Sequence, residues 1–233
     1  MLDLSSRRLK ACKIESLLNL RRRPRPVRIL EIGTGCGGIA HYFATHPEIP
    51  CRVCAVDVVD QLQVREGFDF ALVQDTRLPF PDERFDVVIS NHVLEHVGPL
   101  EAQKHHLAEI RRVMHRRGVG YLALPSRWMV MEPHYRLPFL SWLPERLRHA
   151  YVRLCGRADH YDCRPLAPGV VERLIREAGL RPISLGTMAF RETIRLEGPA
   201  GFLARLIAGF PDRIVSRLER LMPTLIYRLE RAA

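Results

Sequence analysis

Compact apolar runs alternate along this chain with segments whose apolar residues recur at helical spacing. Runs at 27–32, 52–56, 70–73, 85–90 and 119–124 have the length and β-branched content of strands. Between them, 39–46 and roughly 99–116 carry helical periodicity, with Gly118 as the expected stop of the longer helix. Farther on, 167–178 predicts a helix with Pro168 in its first turn and Gly179 at its end, and 181–188 predicts a strand. Residues 224–229 predict a last strand that returns antiparallel into the sheet. Strands alternating with helices imply an α/β fold, a parallel sheet covered by helices on both faces.

Three segments fall outside this rhythm. Residues 7–20 interleave Arg and Lys with Leu9, Ile14, Leu17, Leu18 and Leu20, which predicts a short amphipathic helix ended by an Arg/Pro-rich break. That makes 1–26 a basic N-terminal helix and linker, and 27–233 the main domain. Residues 125–165 hold both tryptophans and show no clean period. Following a strand's C-terminal end, they are expected to form a lid-like insertion on the substrate side of the sheet. Residues 200–221 set Phe202, Leu203, Leu206, Ile207, Phe210, Ile214, Leu218 and Leu221 among arginines, predicting two amphipathic helices broken at Pro211.

Charge then narrows the choice of partners. The net charge is +10 over 233 residues, with 36 Lys/Arg against 26 acids. Eight Lys/Arg against two acids lie in 1–26, and six against three in 200–233, so the centre is nearly neutral. Only Lys10, Lys13 and Lys104 are lysines. The basic amphipathic ends are expected to pack their apolar stripes on the sheet. Their arginines leave open a peripheral association with an anionic membrane surface. No run approaches the ~20 apolar residues that span a bilayer, and the Met-Leu-Asp-Leu start lacks a signal-peptide core. A cytoplasmic location with free thiols is expected. Cys51-Arg-Val-Cys54 has the spacing of half a metal site but lacks a second pair, so no metal is expected.

The chemistry concentrates where the first strand ends. Glu31-Ile32-Gly33-Thr34-Gly35-Cys36-Gly37 sits in a strand-to-helix turn, where glycines let the backbone approach a ligand. Asp57 closes the second strand and is placed for ribose hydroxyls. Gln74-Asp75-Thr76 ends the third, near where an adenine amino group would lie. Asn91-His92 follows the fourth, at the same crevice. The glycine spacing differs from the pyrophosphate-binding Gly-x-Gly-x-x-Gly, and Glu31 just ahead would repel a pyrophosphate while suiting a cation.

With Leu30–Gly37, Val56-Asp57, Asp75 with Leu78-Pro79-Phe80, and Phe85–Val97, the chain resembles the class I S-adenosylmethionine-dependent methyltransferases, particularly those acting on small molecules. The resemblance covers roughly 27–124. It implies a Rossmann-like doubly wound seven-stranded sheet, mostly parallel with the last strand antiparallel, and S-adenosylmethionine as cofactor. It further implies that Glu31, Gly33, Thr34, Gly35 and Gly37 line the methionine part. Asp57 with Val58 would meet the ribose, Asp75 with Thr76 the adenine, and Asn91 with His92 the sulfonium side. Only 17 residues separate Asp57 from Asp75, too few for the family's usual second helix.

Methyl transfer needs positioning and exclusion of water, and an oxygen acceptor also needs a base. His134 is the leading candidate, followed by His96. The aromatic character of 125–165 points to a lipophilic, aromatic or glycolipid-type acceptor, with Trp128, Glu132, Tyr135 and His160 as candidate contacts. A nucleic-acid methyltransferase is the competing enzyme reading. The Asn-His-Val-Leu after the fourth strand and the lack of an appended nucleic-acid module argue against it. A cofactor-binding scaffold without turnover is the non-enzymatic alternative.

Overall fold

The computed structural model describes residues 4–23, 26–132, 135–161, 163–199 and 201–232. An N-terminal helix α1 (Leu4–Leu18) leads into β1 (Val27–Ile32), α2 (Gly38–Ala44), β2 (Cys51–Asp57), β3 (Asp69–Leu72) and β4 (Phe85–Asn91). Then come α3 (Leu100–Val113), β5 (Met114–Pro125), a small hairpin β6 (Met131–Glu132) and β7 (Leu137–Pro138), α4 (Glu145–Leu154) and α5 (Pro168–Glu177). The chain ends in β8 (Leu180–Ser184), α6 (Gly186–Glu197), α7 (Gly201–Ala208), α8 (Asp212–Leu218) and β9 (Thr224–Arg231).

Seven strands form one sheet in the order β3-β2-β1-β4-β5-β9-β8, and β9 runs antiparallel to both of its neighbours. The strand order reverses between β1 and β4, and ligands of open α/β sheets bind at such a switch point. Register places Ile32 level with Val56 and Ser90, so β1, β2 and β4 deliver their C-terminal ends to one crevice.

The sheet is buried on both faces. On one face Ile29, Val53, Val87, Ile89 and Tyr121 pack with Ile14, Leu17 and Leu18 of α1, Ile39 and Phe43 of α2, and Ala189 of α6. The other face joins Leu30, Val56, Val88 and Leu122 to Leu107 and Ile110 of α3 and Leu174 and Ile175 of α5. Full burial of each such aliphatic side chain is worth about 1.5–3 kcal/mol, so α1 is held against the sheet and α2 by its apolar face. In α7, α8 and the link between them, by contrast, Leu206, Phe210 and Ile214 stay exposed, as do Arg205, Arg213 and Arg217. Among the described residues no helix is long and apolar enough to cross a membrane.

Three boundaries differ from the pattern in the sequence. The long helix ends at Val113, because Met114 already pairs with Phe85 at the start of β5. Gly118 therefore lies inside a strand, where a Cβ would meet the carbonyl oxygen of Asp86 at 3.1 Å; close approach, not a helix stop, explains the glycine. The strand expected over 181–188 stops at Ser184, and α6 begins two residues later. Glu219, distant in sequence, accepts a 2.8 Å hydrogen bond from the Thr187 amide and so caps α6. Residues 58–68 contain no helix between β2 and β3, as the short spacing predicts. The 125–165 segment is a hairpin, a helix and a small core of Leu137, Leu140, Val152, Tyr161 and Cys163.

Candidate functional site

After Ile32 the chain turns through three glycines with φ of +71° at Gly33, +56° at Gly35 and +83° at Gly37. At Gly33 a Cβ would lie 2.4 Å from Val93, and at Gly37 2.6 Å from the carbonyl oxygen of Val64, so neither position tolerates a side chain. The Gly33 and Thr34 amides donate to the Val56 carbonyl at 2.8 and 3.2 Å, and the Gly35 amide donates to Asp57 Oδ2 at 2.8 Å. Asp57 Oδ1 accepts from the Val58 amide at 2.7 Å. Asp57 thus pins the loop to the end of β2 and keeps its remaining lone pairs at the crevice.

Glu31 lies beneath this loop, 2% exposed, and not on the crevice wall. Its Oε2 accepts from Thr34 Oγ1 at 2.7 Å, and the Ala40 amide in the first turn of α2 also donates to the carboxylate. Burial outweighs both bonds and pushes its carboxyl up to about 8. Thr34 is buried with it, so these two expected cofactor contacts brace the loop from below.

A cavity of about 1010 Å³ opens above the strand ends. Gly33, Gly35, Asp57, Val58, Gln74, Asp75 and Thr76 wall one half, over β1, β2 and β3. Asn91, His92, Val93, His96 and Val97, from the end of β4 and the turn after it, also line the cavity, and beyond β4 in the sheet order so do Tyr121 and Ala123 of β5 and Thr224 and Ile226 of β9. Arg7, Lys10 and Lys13 of α1 complete the enclosure. Asn91 Nδ2 is buried without a hydrogen-bond partner. His92 holds φ +59°, rare for a residue with a side chain, and its amide donates to the Ala123 carbonyl at 2.8 Å. Its Nδ1 lies 3.2 Å from Oε1 of Glu95, which is 1% exposed. His106 of α3 also reaches the cavity wall, with Nε2 3.0 Å from Ser90 Oγ. Full burial pushes its pKa down to about 4, so the ring is neutral.

Of the residues expected from sequence, the structure gathers Gly33, Gly35, Asp57, Val58, Asp75, Thr76, Asn91, His92 and His96 around one cavity. None of the described residues of the insertion lines it. Glu132 is fully buried and its carboxylate accepts from the Tyr135 amide at 2.6 Å. Tyr135 packs on Tyr161, and its hydroxyl donates to the carbonyl of His160, whose ring meets His149. Trp128 sits edge-on to Trp142 with ring centroids 5.6 Å apart. Tyr135 packs on the insertion's own core and Glu132 is buried beside it, while Trp128 and His160 are exposed; none of the four lines the cavity. His134 lies outside the described residues. Among the described residues no group of three His, Cys, Asp or Glu is gathered for a metal ion.

Sequence reasoning passed over His106, Tyr121 and the three α1 cations. The signal for the last was present, since Arg7, Lys10 and Lys13 recur every three residues and share one helix face.

Comparison with known proteins bears on what fills this cavity. Residues 30–122 match the family model described as a methyltransferase domain. The chain is 28% identical over 170 residues to the ubiquinone/menaquinone biosynthesis C-methyltransferase UbiE of Cupriavidus metallidurans, covering 67% of this chain and 68% of that one. It is 35% identical over 77 residues to the cyclopropane-fatty-acyl-phospholipid synthase of Escherichia coli K12; this match spans 31% of the chain and only 20% of the synthase. Among solved structures, the 1,6-didemethyltoxoflavin-N1-methyltransferase of Burkholderia thailandensis, with bound S-adenosylhomocysteine, superposes with a TM-score of 0.58. Its identity is 19%, with 99% of this chain and 80% of that one covered, so the likeness is one of fold.

Proposed function

From the methyltransferase-domain match over residues 30–122, we propose that the chain is a class I S-adenosylmethionine-dependent methyltransferase, with S-adenosylmethionine as cofactor, and that it transfers a methyl group to an oxygen of a small lipophilic or aromatic acceptor. The observation that carries this reading is one cavity lined both by the glycine turn, Asp57 and Asp75 and, past the Asn91–His92 turn in the sheet order, by Tyr121, Ala123 and Ile226. The residues present suit the cofactor: a glycine turn whose Thr34 and Cys36 side chains are buried, and Asp57 and Asp75, after the next two strands, on the cavity wall. Asp57 would hold the ribose, Asp75 and Thr76 the adenine, and the glycine turn the methionine part.

When bound, the cofactor supplies a methyl group on a cationic sulfur that leaves as a neutral thioether. The chain's task is then to align an acceptor lone pair with that methyl and keep water out. Tyr121, Ala123 and Ile226 offer an apolar bed for the acceptor. His92 is the base in this proposal. With Nδ1–H donated to the buried Glu95 carboxylate, Nε2 is left to take the acceptor's proton, and Glu95 is the positioning residue. His96, farther along the same turn, also lines the cavity.

The test is methyl transfer from labelled S-adenosylmethionine to a panel of phenols and hydroxy acids, by wild type and His92→Gln. Loss of the base lowers kcat by about 10²–10⁴ and leaves S-adenosylhomocysteine affinity unchanged. Full turnover in His92→Gln removes the base. No turnover with any acceptor, despite cofactor binding, favours the scaffold.

A further inference from the structure

The cofactor carries one carboxylate, yet α1 brings three cations to the cavity wall. Arg7, Lys10 and Lys13 occupy one face of the helix, while Ile14, Leu17 and Leu18 lock its other side into the core, so the cations cannot rotate away. Arg8, on another side of the same turn, is exposed to solvent. Among the described residues neither Arg7 nor Lys10 has an ion-pair partner, and Lys13 Nζ reaches only Thr193 Oγ1 at 3.4 Å. Both lysine pKa values are lowered, chiefly by burial, and Arg7 and Lys13 add repulsion at Lys10; Glu197 is the acid that opposes this at both. The chain uses arginine almost everywhere else, so two of its three lysines stand together here, as compact point charges. Half-buried, mutually repelling cations on a fixed surface are what an anionic ligand would relieve.

We infer that this face is an anion subsite for the methyl acceptor, which carries a carboxylate or phosphate held by Arg7, Lys10 and Lys13 while its apolar body lies over Tyr121 and Ile226. This rests on the methyltransferase reading for the other half of the cavity.

Calorimetry of the chain saturated with S-adenosylhomocysteine tests it with three probes of similar body: benzoate, phenyl phosphate and benzyl alcohol. One or both anions bind at least about tenfold more tightly than the alcohol, and which one does so identifies the group. Lys10→Gln with Lys13→Gln raises the Kd of that anion by about tenfold or more, and the double Arg variant restores it. S-adenosylhomocysteine affinity stays unchanged. The Gln variant unfolds at the same temperature as wild type or higher, because charges without partners have left a half-buried site; a merely structural role would lower it. Equal binding of the alcohol, or an anion Kd indifferent to the lysines, overturns the subsite. So does a parallel loss of S-adenosylhomocysteine binding, which would give the cations to the cofactor's carboxylate. The titrations are repeated without S-adenosylhomocysteine: lysine-dependent anion binding by a folded chain that does not bind this nucleoside leaves the subsite standing and overturns the methyltransferase reading.

Discussion

Glu31 shows how much a residue's surroundings alter its part. As a carboxylate just ahead of the glycine turn it suggests a partner for a positive ligand. Instead it lies under the turn, tied to Thr34 and the Ala40 amide, with its carboxyl pushed up to about 8 by burial. A carboxyl raised in the folded state has a definite sign: its stabilising contribution is complete below about 4.5 and is lost as pH rises towards about 8. His106 acts on the opposite limb, its depressed pKa costing stability as pH falls from 6.5 towards about 4. Glu31→Gln keeps an acceptor for Thr34 and removes one titration. The unfolding free energy of wild type from denaturant titration therefore falls relative to Glu31→Gln between pH 5 and pH 8, by on the order of a few kcal/mol. Parallel curves for the two proteins would show that Glu31 is ionised in the fold.

At the scale of elements, α1 is where the sequence was least legible. Its apolar positions do not gather on a single clean side, because polar residues point inward twice. Arg7, Lys10 and Lys13 face the cavity, and Glu15, 7% exposed, faces α2. There Glu15 accepts from Tyr42 Oη at 2.6 Å and Arg21 Nε at 2.8 Å, and lies 3.1 Å from His46 Nε2. Gly38 lets α1 come close, since a Cβ there would meet Arg7 at 2.8 Å. A helix bound by such tertiary partners looks, in sequence, like a basic appendage. Glu15→Ala strips the network of its shared acceptor and costs about 2–4 kcal/mol in denaturant unfolding. Because α1 carries the cationic face, anion binding weakens with it. An unchanged unfolding midpoint would mean that apolar packing alone docks α1. The start of α6 was hidden for a related reason, since its cap, Glu219, is supplied from 32 residues away.

For the whole molecule, the sheet was legible because buried parallel strands advertise themselves as short apolar runs between helical segments. The cofactor half of the cavity was legible too, since Gly33, Gly35, Asp57 and Asp75 all stand at strand ends, where local pattern and site coincide. The acceptor half was not. Tyr121 and Ile226 look like ordinary strand residues, and their meeting with α1 depends on β9 pairing against β5. Aromatic density drew attention to 125–165, yet Tyr135, Tyr161 and Glu132 are spent on that segment's own core.

The claim on which the rest depends is that the glycine turn and Asp57 hold an S-adenosyl ligand. Calorimetric titration of S-adenosylhomocysteine into wild type and Asp57→Ala tests it most directly. Wild type should bind one equivalent with a Kd of about micromolar, and the variant should lose at least about tenfold while its circular dichroism is retained. A folded wild type that takes up no S-adenosylhomocysteine would contradict the account.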